Sequence, residues 1–139
     1  MTHQELTLNE IGALKSKALS FPKSLRDARK IAADLAKRVD DLKNDIKDAE
    51  QEELLAASMK TNGDAKPLYS NDTQRKAAAA QALAQSPTHR ERLKRLADAE
   101  TDLLNARLDA QRVEDEHKSY QEIVKLVVAE VDLLTAWMK

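Results

Sequence analysis

Between Leu96 and Met138 a hydrophobic side chain recurs alternately every third and fourth residue: Leu96, Ala99, Leu103, Ala106, Ala110, Val113, His117, Tyr120, Val124, Val127, Val131, Leu134 and Met138. Twelve of these thirteen positions are apolar or aromatic. The alternation averages about 3.5 residues, close to the helical period of about 3.6, so the side chains form one stripe that stays on a partner helix when the two supercoil. Sustained over about six heptads, the pattern commits the chain to long packed helices. A second stripe of the same kind, Leu25, Ala28, Ala32, Leu35, Val39, Leu42, Ile46 and Ala49, runs upstream, with charged residues such as Arg26, Lys30, Asp34, Lys37, Arg38 and Asp41 on the remaining faces. Those charges read as a solvated surface laced with pairs four residues apart.

Composition agrees. Hydrophobic residues make up 42% of the 139 residues but aromatics only 3%, so buried area must come from Leu, Ala and Val along stripes rather than from large rings. With two glycines and three prolines, the chain has few places to turn. Thr7 and Glu10 have capping-box spacing and predict a short helix over 8–20, with Leu8, Ile11, Leu14 or Ala18, and Leu19 on its apolar side. Phe21-Pro22 is expected to end it, because proline lacks the amide hydrogen and pushes its predecessor out of the α region. A long helix over 24–59 follows. Thr61-Asn62-Gly63-Asp64 predicts a turn using the positive φ that Asn and Gly tolerate, within a loop over 60–71. Asn71 and Gln74 can then cap an Ala-rich helix over 72–85. Ser86-Pro87 restarts a helix that runs over 87–138 without a breaker. The expected architecture is all-α: one domain over 1–139, a long antiparallel coiled-coil helical hairpin with a short N-terminal helix and an Ala-rich connecting helix.

Several functions are argued against by what is missing. There is no cysteine, no Gly-rich phosphate loop, no nucleophile elbow and no His-Glu-x-x-His, so the chain reads as non-enzymatic, with no cofactor, metal or small-molecule substrate. No signal peptide or membrane span is legible, which predicts a cytoplasmic protein without membrane contact. His117 is the one polar residue in the seam. We read it as fixing register rather than as a pH switch or metal ligand, since no second ligand stands at the right spacing; His3 and His89 are isolated.

Charge is unevenly placed. Residues 60–95 hold 8 Lys+Arg against 3 Asp+Glu, whereas residues 96–139 hold 5 against 10. The cations Lys66, Arg75, Lys76, Arg90, Arg92, Lys94 and Arg95 would gather at the turn-bearing end, with Tyr69 exposed beside them as a stacking ring, a combination able to follow a phosphate backbone. At the other end Ile123, Leu126, Leu133 and Trp137 form an additional stripe beside Val127, Val131 and Leu134. A helix apolar on two faces needs two coverings; the first short helix can cover part of the area by folding across and self-association the rest, so these seven residues are the expected homo-oligomerisation surface.

The stretch Lys66-Pro67-Leu68-Tyr69-Ser70-Asn71-Asp72-Thr73-Gln74-Arg75-Lys76, followed by the Ala-rich helix and the long heptad helix, resembles small coiled-coil proteins of phage and prophage recombination modules. In size and layout it is similar to the UvsY-like recombination mediators. The likeness spans residues 66 to about 125 and leaves the first 60 outside it. It implies an oligomer that binds single-stranded DNA, through Lys66, Tyr69, Arg75 and Lys76 where the motif falls, and that contacts a recombinase or a single-strand-binding protein. The reading that competes with it is a coiled-coil adaptor or phage assembly protein that binds another protein and no nucleic acid.

Overall fold

A computed structural model describes the backbone of residues 3–138 and the side chains of residues 9, 10, 12, 13 and 15–138. The described residues form an all-α structure of three helices, α1 (His3–Met59), α2 (Asp72–Gln85) and α3 (Pro87–Trp137). α2 and α3 start where their caps predict. The Asn71 carboxamide accepts from the Gln74 amide at 2.8 Å, while the Gln74 side chain accepts from the amide and hydroxyl of Ser70. The reciprocal contact of the capping box is thus displaced one residue upstream. Ser86 serves two helices: its amide closes α2 on the Leu83 carbonyl, and its hydroxyl accepts from the His89 amide at 3.3 Å to open α3.

The expected break at Phe21-Pro22 is absent. α1 is one helix with Pro22 inside it, in place of separate helices over 8–20 and 24–59. It also begins upstream of Thr7, so the Thr7–Glu10 spacing marks no N-terminus. An interior proline costs roughly 3 kcal/mol. What opposes that cost is next to it: Phe21 is only 6% exposed, and its ring lies 5.3 Å from that of His117 and 5.2 Å from that of Tyr120. Burying a phenylalanine and giving it two aromatic neighbours contributes about 2–5 kcal/mol, enough to hold the helix through the proline. Leu19, expected on the apolar side, is 73% exposed; Ala18 is half-buried instead. Leu8, Ile11 and Leu14 lie outside the described side chains.

The chain divides into two compact units. In the unit Asp34–Leu103, Val39 of α1 and Ala99 and Leu103 of α3 form the core, with Leu35, Ala36, Leu42 and Leu96 packed against it. Ile46, Ala49 and Ala57 extend the buried row of α1, Ala79 of α2 is buried, and Lys43 meets Glu100 at 3.9 Å. The other unit, Met1–Ala33 with Leu104–Lys139, contains the Phe21 cluster and an ion pair between Arg29 and Glu114 at 3.7 Å. Both pairs are exposed enough to contribute under about 1 kcal/mol each, so packing rather than charge holds the helices together.

The loop before α2 corrects a second expectation. Asn62 organises it: its side chain accepts from the amides of Asp64 and Lys66, its own amide donates to the Lys66 carbonyl at 2.8 Å, and Thr61 bridges to Pro67. Yet neither Asn62 nor Gly63 takes positive φ; Ala65 does, at 58°. With two amides gathered on the Asn62 carboxamide, the first half of the turn stays in ordinary backbone space. The reversal falls on a residue with a Cβ, at a cost of about 1–2 kcal/mol.

Candidate interaction surfaces

The cations proposed from sequence all lie in the unit Asp34–Leu103, but they are not equivalent. The Arg90 guanidinium donates twice, at 3.1 and 2.9 Å, to the Ala84 carbonyl, tying down one of the orphaned carbonyls at the end of α2. Arg75 pairs with Asp72 at 3.1 Å and its Nε is enclosed without a partner; Arg95 pairs with Glu91 at 3.3 Å. Arg92 is half-buried. Lys66, Lys76 and Lys94 are exposed, with no carboxylate at ion-pair distance among the described residues. Tyr69 is half-buried rather than presented as an exposed ring, a correction that removes part of its face from stacking. The unit as a whole holds 12 Lys+Arg against 14 Asp+Glu, because α1 contributes Asp34, Asp40, Asp41, Asp45, Asp48, Glu50, Glu52 and Glu53. The positive excess is therefore local to residues 60–95.

The apolar residues expected at the end of α3 are exposed except for Val127, and Met138 is exposed with them. The seam is covered or half-covered from Leu96 to Val127, and beyond that point Val131, Leu134 and Met138 are exposed, although the heptad pattern places them against a partner. Ile123, Leu126 and Leu133 are exposed as well, and Trp137, the single tryptophan, is 84% exposed. Val127 is half-buried. On a helix these residues occupy adjoining faces, so they form a continuous apolar area rather than isolated leucines.

Beside this area is an open cleft of about 360 Å³ between α1 and α3, lined by Glu10, Ala13, Lys17, Tyr120, Ile123 and Val127. On the α1 side its wall includes Ala13, which offers a single methyl. The Lys17 ammonium lies 5.2 Å from the Tyr120 ring centroid, in cation–π range, so the cleft carries a positive charge over an aromatic wall. Sequence reading missed Glu10, Ala13 and Lys17 because a helix ending before Pro22 gives no reason to align them with Tyr120 and Ile123.

His117 is half-buried against Phe21 and touches Gln121 at 3.0 Å, while its Nδ1 is enclosed without a partner. His89 is buried at the start of α3, its Nδ1 likewise unpartnered. No three His, Asp or Glu side chains converge at metal-binding distances among the described residues. No helix is long and apolar enough to cross a membrane among them. Compared with known protein families, characterised proteins and solved structures, the chain matches none.

Proposed function

We propose that this chain is a non-enzymatic helical protein that acts by docking protein helices, with the exposed apolar end of α3 as its contact surface. The observation that carries this reading is the exposure of Leu126, Leu133, Leu134 and Trp137 together. An apolar area of that extent on a charged helix marks a protein contact surface. The antiparallel coiled-coil hairpin belongs to the same reading. Within one unit Val39 packs with Leu103 and Lys43 meets Glu100; within the other Phe21 meets Tyr120 and Arg29 meets Glu114. Inside each unit taken by itself, partner numbers rise as α1 numbers fall, as in antiparallel pairing.

The test is recovery of a protein partner by the purified chain at high salt, where charge-driven contacts are screened. A Leu126→Asp/Leu133→Asp double variant should lose that partner while keeping its helicity. Equal recovery by the variant would sink the proposal.

A second reading keeps the nucleic-acid expectation, with single-stranded DNA held at residues 60–95 and a recombinase or single-strand-binding protein as co-partner. The exposure of Lys66, Lys76 and Lys94 favours it. Its test is fluorescence anisotropy of a labelled single-stranded oligonucleotide at low and moderate salt. Binding should weaken steeply with salt and vanish in Lys66→Glu/Lys76→Glu/Lys94→Glu; no binding at low salt removes the reading. These lysines are better targets than Arg90 or Arg95, whose reversal would also disturb local structure.

A further inference from the structure

Trp137 and the α1/α3 cleft have complementary chemistry. An indole has a large apolar body and one N–H donor, and it is the best aromatic partner for a cation. The cleft offers apolar walls in Ala13, Ile123 and Val127, a cation in Lys17 and a carboxylate acceptor in Glu10. Its volume of about 360 Å³ sits at the lower end of the range for small-molecule pockets, roughly 300–1,000 Å³, a suitable size for one bicyclic side chain. Trp137 cannot reach the cleft of its own chain. It stands on α3 itself, 14 residues past Ile123, which is about 21 Å along a continuous helix.

We propose that Trp137 of a second copy seats in this cleft, in a two-fold pairing of the α3 C-terminal ends running antiparallel. The inference rests on reading the end of α3 as a contact surface and adds what occupies it. Parallel pairing would set Trp137 beside its own counterpart and leave both clefts empty. Antiparallel pairing with the axis beside Glu130 sets each Trp137 across from Ile123 of the other chain, and Leu126 across from Leu134, so that the interface is isologous and closes at two subunits. Exposed apolar side chains recur from Ile123 to Met138 over about four helical turns, a length able to supply much of the roughly 800 Å² that each partner buries in a standard stable interface. The same axis brings the two Glu130 carboxylates near each other, a like-charge contact that weakens the pair.

The experiment uses the full chain alone, whose single tryptophan is its own reporter. Sedimentation mass should double over the same concentration range in which Trp137 emission shifts to shorter wavelength. Trp137→Ala, at an exposed site and with helicity unchanged by circular dichroism, should weaken association by at least about thirtyfold, as expected of a tryptophan hot spot. Ala13→Glu should do the same from the cleft side. An equimolar mixture of the two variants should pair more tightly than either alone, since one of its two Trp137–cleft contacts is intact. Glu130→Gln should tighten association by about two- to fivefold. A monomer at the highest concentrations, or a dimer whose tryptophan emission stays water-like and which ignores Ala13→Glu, overturns the proposal. A Glu130→Gln variant that associates no more tightly overturns the antiparallel register. A chain that is monomeric alone yet still recovers a partner at high salt through Leu126 and Leu133 overturns self-pairing only; failure in both experiments removes the contact surface as well.

Discussion

The unit Asp34–Leu103 and the C-terminal end of α3 in the other unit use the same sequence code with opposite outcomes. In the first, a heptad stripe on α1 meets a heptad stripe on α3, and Val39, Ala99 and Leu103 are buried. In the second, the stripe continues through Val131, Leu134 and Met138, yet those side chains are exposed and a further apolar row runs beside them. A heptad repeat therefore specifies a surface that wants a partner. It does not specify that the partner is in the same chain. Where α1 supplies Val39 and Leu42, the demand is met internally; where it supplies Ala13, an open cleft lies between it and Ile123 and Val127.

Truncating one leucine in each region is the most direct way to break this contrast. Leu103→Ala should destabilise the chain by about 2–5 kcal/mol, the usual cost of removing a buried leucine. Leu133→Ala should change unfolding of the dilute protein by no more than about 0.5 kcal/mol, since its side chain is already in water. Chemical denaturation at low concentration checks both. Equal effects would mean that α3 is as fully covered at residue 133 as at residue 103.

Pro22 sharpens the comparison from the other side, because only the unit with Phe21 carries a helix-interior proline. Pro22→Ala restores an amide donor to α1 and should raise stability by up to about 3 kcal/mol without changing helix content. A loss of stability would show that the proline is part of how Phe21 is seated between His117 and Tyr120.

The same residue marks where sequence reading fails. Caps and periodicity are local signals, and they located α2 and α3 to within a residue: Asn71, Ser86 and Pro87 act on amides no more than a few positions away. The seam residues of 25–49 and 96–127 were legible for the same reason, since a stripe is a statement about one helix. Pro22 was misread because its outcome depends on Phe21 touching residues nearly a hundred positions later, which no local rule sees. The cleft was invisible on the same grounds. The cations were legible as charges but not as engaged groups: that Arg90 clasps the Ala84 carbonyl depends on how the chain turns at Ser86. Trp137 was readable as part of an apolar row, and its fit to Lys17 and Glu10 required α1 to be unbroken.

A smaller effect is expected at the Asn71 cap, which belongs to the better-packed unit. Asn71→Ala removes the acceptor for the Gln74 amide and should cost about 1 kcal/mol, concentrated in α2. Hydrogen exchange that quickens across 72–85 while 87–103 is unaffected would place α2 as a separately opening element of its unit; uniform quickening would bind it to the core around Val39.

The smallest effect separates the turn's glycine from the position that needs one. Ala65 holds φ at 58°, where a Cβ is penalised, while Gly63 two residues earlier has no positive φ and open space where a Cβ would go. Ala65→Gly relieves the left-handed strain but loosens the unfolded chain, leaving a net gain below about 1 kcal/mol. Gly63→Ala acts only through the unfolded state and should add about 0.4–1 kcal/mol. The two sites share a loop, so the exchange of both residues tests whether the gains add. An increase in melting temperature for the exchanged loop, with Trp137 emission unchanged, would confine the stabilisation to the unit Asp34–Leu103 and leave the exposed end of α3 as it was. A decrease would mean that the loop needs Ala65 more than it is strained by it.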